Sequence, residues 1–253
     1  MDGFTNGFST RLGGVSAMPN QALNLAGFHE DAAENILENR RRFLKLFDGN
    51  WTLAGCWQVH GSEVRVIQDA ADAKPSEKSL GETVYCDAIV SDALEVLAAV
   101  KTADCVPVLI GDPVTKCFAA VHAGWRGTFA GVVLYALERL IKEYGSRPED
   151  VRVAMGPSAA ACCYEVGPEV ADGFRERFVY AEALMTPTRE GHAKIDLLLA
   201  NHTQLTDAGV REDRIHIAPL CTMCRTDLFF SYRKEKKLLG KVGRSMSIIG
   251  SRQ

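Results

Sequence analysis

The chain has 253 residues, of which 47% are hydrophobic and 24% are charged, and its formal net charge is -3 at pH 7. This composition is typical of a globular protein with a sizeable core. The net charge and the lack of a long Lys/Arg cluster argue against a nucleic-acid-binding surface. No apolar stretch approaches the roughly 18 residues of a membrane span, and the N-terminus has no secretory pattern. We therefore expect a cytoplasmic protein with a small-molecule partner and no membrane partner; the oligomeric state stays open.

In chain order, the first helical pattern spans roughly Asp31 to Phe47, where apolar residues recur at helical spacing and Asp31 and Glu34 form a capping-box pair. Two strand patterns then flank a His60-Gly-Ser-Glu turn, which predicts a hairpin with His60 at its tip. The polar segment Ala70–Thr83 predicts a surface loop.

The stretch Lys101–Arg126 contains two apolar strand patterns that flank a Gly-Asp-Pro turn signal. An antiparallel hairpin with its turn centred near Pro113 and Val114 places Cys105 directly opposite His122. Such a pair holds its Cβ atoms about 4.5–5.5 Å apart, which suits convergence on one metal ion or one substrate. A slip of one residue would put the two side chains on opposite faces.

Helices and strands continue in mixed order to the C-terminus. A helix is predicted over Thr128–Tyr144, which places Arg126 near a helix N-terminus, where free N–H groups favour an oxyanion or phosphate. The other predicted elements are strands at Cys86–Val90, Glu95–Val100, Val151–Met155, Ile215–Ala218 and from Met246, and helices at Glu169–Phe178 and Ile195–Ala208. The pattern predicts an α+β fold, a single domain of residues 1–253 with mixed β-sheets flanked by helices.

Cys105 and His122, joined by His60 from its turn, would offer one sulfur and two nitrogen ligands. Three protein ligands with an open fourth position are typical of a catalytic zinc site. The alternatives are that Cys105 is a small core residue and that His60 only hydrogen-bonds within its turn.

The remaining cysteines predict less. Cys221-x-x-Cys224 has the spacing of half a zinc knuckle, but Cys162 and Cys163 are adjacent, and we expect that they cannot both enter one tetrahedral site. A buried or weakly redox-active thiol pair is therefore favoured. At the N-terminus, Arg11 lies beside a Gly-Gly pair where a backbone can approach an anion, although most such pairs are turns.

Several motifs together resemble the YfiH family of laccase-domain proteins, also described as polyphenol oxidase-like. They are Ser9-Thr-Arg-Leu-Gly-Gly-Val-Ser16, Gln58-Val-His-Gly61, Thr102-Ala-Asp-Cys-Val-Pro107, His122-Ala-Gly-Trp-Arg-Gly127, Met155-Gly-Pro157, Cys163-Tyr-Glu-Val166 and Phe229-Phe-Ser-Tyr-Arg233. The likeness covers nearly the whole chain. One departure is Val242-Gly-Arg244, where the family usually has Thr-Gly-Arg.

The resemblance implies a YfiH-like fold and a zinc site at His60, Cys105 and His122. It also implies purine nucleoside phosphorylase activity on adenosine, inosine, guanosine and 5'-methylthioadenosine, with adenosine deaminase activity in the same pocket. Copper oxidation is set aside, because a multicopper oxidase needs a trinuclear cluster bound by imidazoles in addition to a blue-copper centre, and the chain has six histidines.

For this chemistry, the candidates for binding substrate or phosphate are Arg11, Arg126, Arg233 and Asn24, and Asp104 is the candidate general acid/base. A second hypothesis makes Cys105 a thiolate nucleophile activated by His122, in a metal-free amidohydrolase of the kind that peptidoglycan editing, linked to similar family members, would need. A third is a non-enzymatic sensor of a metal or nucleotide.

Overall fold

The computed structural model describes residues 1, 3–18, 21–28, 31–73 and 84–251. Residues 74–83 of the predicted surface loop lie outside this part of the chain. The described strands are β1 (Phe4–Phe8), β2 (Thr52–Ala54), β3 (Val64–Ile67), β4 (Ala88–Ser91), β5 (Val96–Thr102), β6 (Val106–Gly111), β7 (Phe118–Ala123), β8 (Arg152–Met155), β9 (Glu165–Val166), β10 (Met185–Pro187), β11 (Ala193–Ile195), β12 (Ile215–Ile217) and β13 (Ser245–Ser251). The described α-helices are α1 (Ala33–Leu44), α2 (Trp125–Ala130), α3 (Val132–Tyr144), α4 (Pro168–Arg177), α5 (Ala181–Leu184), α6 (Leu197–Asp207) and α7 (Tyr232–Leu239).

The strands form three sheets. The largest has six strands in the order β12-β8-β6-β7-β4-β3, and the second has four in the order β1-β13-β5-β2. A small sheet, β10-β11-β9, lies outside these two. Parallel and antiparallel pairs occur in both large sheets, because helices and loops connect some neighbours and a tight turn connects others. The predicted α+β class with mixed sheets and helices is confirmed.

Side chains alternate between the two faces of the six-stranded sheet and fill two cores. Val108 and Val121 contribute to one core, with buried residues of α3 and α6. Leu109 and Phe118 face the opposite way and contribute to a second core with Val100 of the four-stranded sheet. The far side of that smaller sheet is covered by α1. The sheets are thus layered between helices.

The predicted long helix is divided in two. Gly131 has φ of 87° and ends α2, after which α3 begins. Glycine adopts this left-handed conformation without the strain that a Cβ introduces. The first of the two helices, α2, starts at Trp125, three residues before the predicted start at Thr128, so Arg126 lies in its first turn.

Two local predictions are wrong. The helix predicted from Asp31 begins at Ala33 without a capping box, because the Asp31 carboxylate accepts hydrogen bonds from Ala32 N–H and the Asn35 amide instead. The segments around His60 do not form a hairpin, since β2 pairs with β5 in one sheet and β3 pairs with β4 in the other.

No helix in the described part of the chain is long and apolar enough to cross a membrane.

Candidate metal centre and cavity

The hairpin of β6 and β7 forms with a register two residues away from the predicted one. Pro107, not Cys105, lies opposite His122, and Cys105 immediately precedes the first residue of β6. A shift of two residues preserves the face on which each side chain lies. Cys105 and His122 therefore still meet, as diagonal neighbours on the face directed toward the four-stranded sheet.

His60 reaches the same place from the loop between β2 and β3. Its imidazole packs edge-on against that of His122, with ring centroids 4.8 Å apart, and its φ is 63°. A Cβ on Gly124 would lie 3.0 Å from both Sγ of Cys105 and Cδ2 of His60. A side chain at this position would therefore push Cys105 and His60 apart by a few tenths of an ångström.

Asp87, which the sequence did not single out, links the two histidines. Its Oδ1 is 2.8 Å from Nδ1 of His122 and also accepts the N–H of His60 at 2.9 Å. Its Oδ2 accepts the N–H of Gly61 at 2.7 Å. The carboxylate is fully buried and sits just before β4. The signal for Asp87 in the sequence was its position as a charged residue between Cys86 and the apolar residues that begin a strand.

The charges of Cys105 and His122 are mutually dependent. Burial by itself raises the pKa of the Cys105 thiol, but the charge of His122 and hydrogen bonds from His122 and His60 outweigh it and lower that pKa to about 6. Burial lowers the pKa of His122, but the Cys105 charge and the Asp87 carboxylate raise it to about 9. In the absence of a metal, these two opposite pKa shifts favour a thiolate paired with an imidazolium near neutral pH.

The three side chains fit a divalent metal ion. One ligand atom from each of His60, Cys105 and His122 lies within 4.8 Å of the others. The hydrogen bond to Asp87 occupies Nδ1 of His122 and leaves Nε2 as the ligand atom, a carboxylate–histidine arrangement common at zinc sites. A thiolate with two imidazoles is also a donor set that zinc accepts.

The cluster lies in the wall of a cavity of about 520 Å³. This volume is within the range of pockets for small organic molecules. Aromatic rings line it from several elements: Trp57, Trp125, Tyr164 and Tyr232. Four cationic residues also line it: Lys101, Arg126, Arg233 and Arg244. The cavity thus offers flat apolar surfaces and positive charge beside the candidate ligands.

The arginines of the cavity are held against its aromatic rings. The guanidinium of Arg126 lies 4.3 Å from the ring centroid of Trp125, and that of Arg233 lies 4.7 Å from the ring of Tyr164. Arg233 also donates from its guanidinium to the carbonyl of Glu165. Stacking of this kind fixes the plane of a guanidinium and leaves N–H groups at its edge for an anion.

Asp104 lines the cavity but its carboxylate is already engaged. Oδ1 accepts a hydrogen bond from the Thr222 hydroxyl at 2.7 Å, and Oδ2 accepts one from the backbone N–H of Arg233 at 2.8 Å. Its φ of 90° turns the chain sharply just before Cys105. This arrangement favours a role in positioning Arg233; the acid/base role stays a prediction.

Arg11 is buried away from the cavity. Its guanidinium forms an ion pair with Glu235 at 2.9 Å and donates to the carbonyls of Thr226 and Phe229. It also lies 4.5 Å from the ring centroid of Phe230. These contacts hold the segment that leads into α7 rather than a ligand, so we leave Arg11 out of the phosphate site proposed below.

Asn24 is fully buried and does not line the cavity. Its Oδ1 accepts the backbone N–H groups of Ala26 and Arg244 at 3.1 Å and 2.9 Å. Both of those residues line the cavity. Asn24 therefore positions two segments of the wall.

Comparison with known proteins defines the class to which this fold and site belong. A family model described as multi-copper polyphenol oxidoreductase laccase matches residues 5–252. The chain therefore belongs to this family, as the sequence motifs indicated.

Individual relatives carry a different description. The purine nucleoside phosphorylase YlmD of Bacillus subtilis (strain 168) is 30% identical over 250 residues, which cover 98% of this chain and 88% of the relative. The crystal structure of YlmD from Geobacillus stearothermophilus matches with a TM-score of 0.90 and 32% identity, covering 100% of this chain and 93% of the other. The YfiH structure from Bacillus licheniformis also gives 0.90, with 30% identity and coverage of 98% and 93%.

Proposed function

We propose that this protein is a zinc-dependent purine nucleoside phosphorylase that also deaminates adenosine. The observation that carries the proposal is the cavity in which His60, Cys105 and His122 converge beside stacked arginines and aromatic rings. The relatives named purine nucleoside phosphorylase support it. The proposed substrates are phosphate with adenosine, inosine, guanosine and 5'-methylthioadenosine.

The aromatic rings suit a purine base. Tyr164 is buried in the wall, whereas Trp57 and Trp125 are partly exposed to the cavity. Stacking on such rings contributes about 1–3 kcal/mol per base and tolerates different bases, in keeping with several purine substrates.

The arginines suit phosphate. Arg126 is exposed in the first turn of α2, and its guanidinium is stacked on Trp125. Arg233 lies on the same cavity at the start of α7. In phosphorolysis, a phosphate oxygen attacks C1' of the ribose, the bond from C1' to the purine nitrogen breaks, and ribose 1-phosphate and the free base result. Guanidinium groups hold the nucleophile in place and balance its charge.

His60, Cys105 and His122 would hold the zinc ion, and Asp87 would orient the imidazole of His122. When bound, zinc supplies a Lewis acid that polarises a substrate oxygen or activates water. Copper is the less favoured metal, because the other metal-competent cluster found in the described residues consists of four cysteines and supplies no further imidazoles for a multicopper centre.

Deamination needs a proton carrier beside the purine. Asp104 is the candidate from the sequence; it directly precedes Cys105 in the chain and lines the same cavity. Because both of its oxygens accept hydrogen bonds, its replacement would also displace Arg233. The role of Asp104 is therefore tested best by comparing the two reactions in one variant.

A metal-free thiol hydrolase is the second candidate function. The observation that favours it is the lowered pKa of Cys105 beside His122, since a thiolate paired with an imidazolium is the resting state of many cysteine hydrolases. Such an enzyme would lose activity on alkylation of Cys105 and would be unaffected by chelators.

The deciding experiment incubates adenosine and inosine with the purified protein, with and without phosphate, and separates the products. The proposal requires ribose 1-phosphate and free base only when phosphate is present, and inosine from adenosine in both cases. Metal analysis of the same sample should find zinc. Catalysis by protein free of metal, together with inactivation by iodoacetamide, would instead favour the thiol hydrolase.

A further inference from the structure

Four of the seven cysteines outside the cavity lie together at a second place in the fold. Cys162, Cys163, Cys221 and Cys224 each have an Sγ within 4.8 Å of the other three. The sulfur atom of Cys224 is 3.7 Å from that of Cys162 and 3.3 Å from that of Cys163, and the latter two are 3.7 Å apart. None of the four forms a disulfide. The expectation that adjacent cysteines could not both enter such a cluster is wrong.

The physical reason is a turn of helical type. The N–H groups of Cys163 and Tyr164 both bond to the carbonyl of Ala160, so the chain winds as it does in a helix. Successive side chains in such a turn diverge by about 100° rather than by the 180° of a strand. The two neighbouring sulfur atoms can therefore face a common centre.

The second half of the cluster is a compact Cys-x-x-Cys turn. The N–H groups of Cys224 and Arg225 bond to the carbonyl of Cys221. The N–H of Ala160 points to Sγ of Cys221 at 3.5 Å, which joins the two halves. Backbone N–H groups directed at a cysteine sulfur suit a sulfur that carries negative charge.

We propose that these four cysteines bind a structural zinc ion. Sulfur atoms at the corners of a tetrahedron around zinc, with Zn–S distances of about 2.3 Å, are about 3.8 Å apart. Two of the distances found here, both 3.7 Å, are close to this value, and the Cys163–Cys224 pair at 3.3 Å would have to open slightly on binding. Four cysteines also close the coordination shell, as in structural rather than catalytic sites. On binding, the thiols release their protons to solvent as the Zn–S bonds form.

The site would stabilise one wall of the cavity. The segment that contains Cys163 continues into Tyr164, which lines the cavity, and into Glu165, whose carbonyl accepts a hydrogen bond from Arg233. In the other segment, the hydroxyl of Thr222 donates to Asp104. An ion that links these two segments would hold Glu165, which binds the Arg233 guanidinium, and Thr222, which binds Asp104 beside the Arg233 backbone. It would do so without touching substrate.

The test is metal analysis of the full chain purified without added metal. Wild type should contain about two zinc ions per chain, and Cys162→Ser and Cys224→Ser should each contain about one. Cys105→Ser should also retain about one, which separates this site from the cavity. Cys117→Ser is the matched control: Cys117 is buried elsewhere, and its Sγ lies 3.0 Å from hydroxyls of Thr115 and Ser146, so serine should be tolerated and both ions retained.

A second measurement tests the inference even if the Cys162→Ser and Cys224→Ser variants fail to fold. X-ray absorption at the zinc edge of Cys105→Ser should show a single zinc ion with sulfur ligands only. One zinc ion per chain in wild type, lost in Cys105→Ser and kept in Cys162→Ser, would overturn the inference while leaving the proposed function intact. Disulfides among the four cysteines in protein purified under reducing conditions, or iron in place of zinc, would overturn it as well. A second zinc without nucleoside phosphorolysis would uphold it and reject the proposed function.

Discussion

The carboxylate of Asp87 lies 2.8 Å from Nδ1 of His122, on the side of the ring opposite to the candidate ligand atom. The same carboxylate oxygen accepts the backbone N–H of His60. A single buried group thus orients one candidate metal-binding imidazole and holds the loop that presents the other. Replacing such partners of metal-ligating histidines typically costs metal affinity although every ligand remains.

We expect Asp87→Asn to weaken zinc binding by about 10–100-fold, measured by competition with a chromophoric chelator. The amide has an acceptor on one side only, so either the imidazole of His122 or the backbone of the His60 loop loses its partner. Asp112→Asn is the control, since Asp112 is also fully buried and accepts N–H groups of Val114 and Thr115 in the β6–β7 turn. Equal zinc affinity in wild type and Asp87→Asn would show that the hydrogen bond does not serve the metal.

Substitution of the candidate ligands should remove the ion from the cavity. Cys105→Ala, His122→Ala and His60→Ala should each lose this zinc and both activities, because two protein ligands hold an ion weakly. Zinc content and product formation are measured on the same preparations. A variant that keeps full zinc in the cavity would exclude its residue from the ligand set.

Gly124→Ala tests the close approach of the ligands. The new Cβ would lie 3.0 Å from Sγ of Cys105 and from Cδ2 of His60, which is tighter than most Cβ contacts, so these two side chains must move apart by a few tenths of an ångström. We expect weaker zinc binding in the cavity with little change in melting temperature. Gly173→Ala serves as the control, because its Cβ would meet Phe129 at an ordinary 3.7 Å. Normal zinc binding by Gly124→Ala would mean that the ligands have more freedom than their packing indicates.

Arg126→Lys should separate the two reactions. Lysine keeps the charge but loses the bidentate fork, and a charge-assisted hydrogen bond contributes roughly 1.5–3 kcal/mol. We therefore expect at least about a tenfold loss in apparent phosphate affinity with little loss of deamination. Adenine and inosine formed from adenosine are measured across a phosphate titration. Equal losses of both products would mean that Arg126 supports the whole pocket.

Arg11→Met should destabilise the protein rather than weaken phosphate binding selectively. It leaves the carboxylate of Glu235 buried without its partner, which typically costs about 3–5 kcal/mol. The double variant with Glu235→Met removes both charges and should recover much of that loss. Denaturant unfolding measures the effect. An unchanged midpoint with weaker phosphate use would return Arg11 to the anion site.

The sequence by itself determined the class of fold and brought Cys105 and His122 to one face. Period-two alternation is encoded locally, residue by residue, so an error of two in the register left the shared face intact. The His60 turn and the family motifs added the third candidate ligand. The same local reasoning joined α2 and α3 into one helix, because the left-handed residue Gly131 that separates them has no periodic signature.

Only the tertiary structure decided which polar groups meet across the chain. Asp87 and His122 are 35 residues apart, Arg11 and Glu235 are 224 apart, and Cys162 and Cys224 are 62 apart. Such pairs depend on how sheets and loops pack and on which buried charges need partners, and neither composition nor spacing contains that information. For the same reason, the adjacency of Cys162 and Cys163 led to a wrong expectation from the sequence. The helical turn at Ala160 brings both sulfur atoms into one cluster with Cys221 and Cys224.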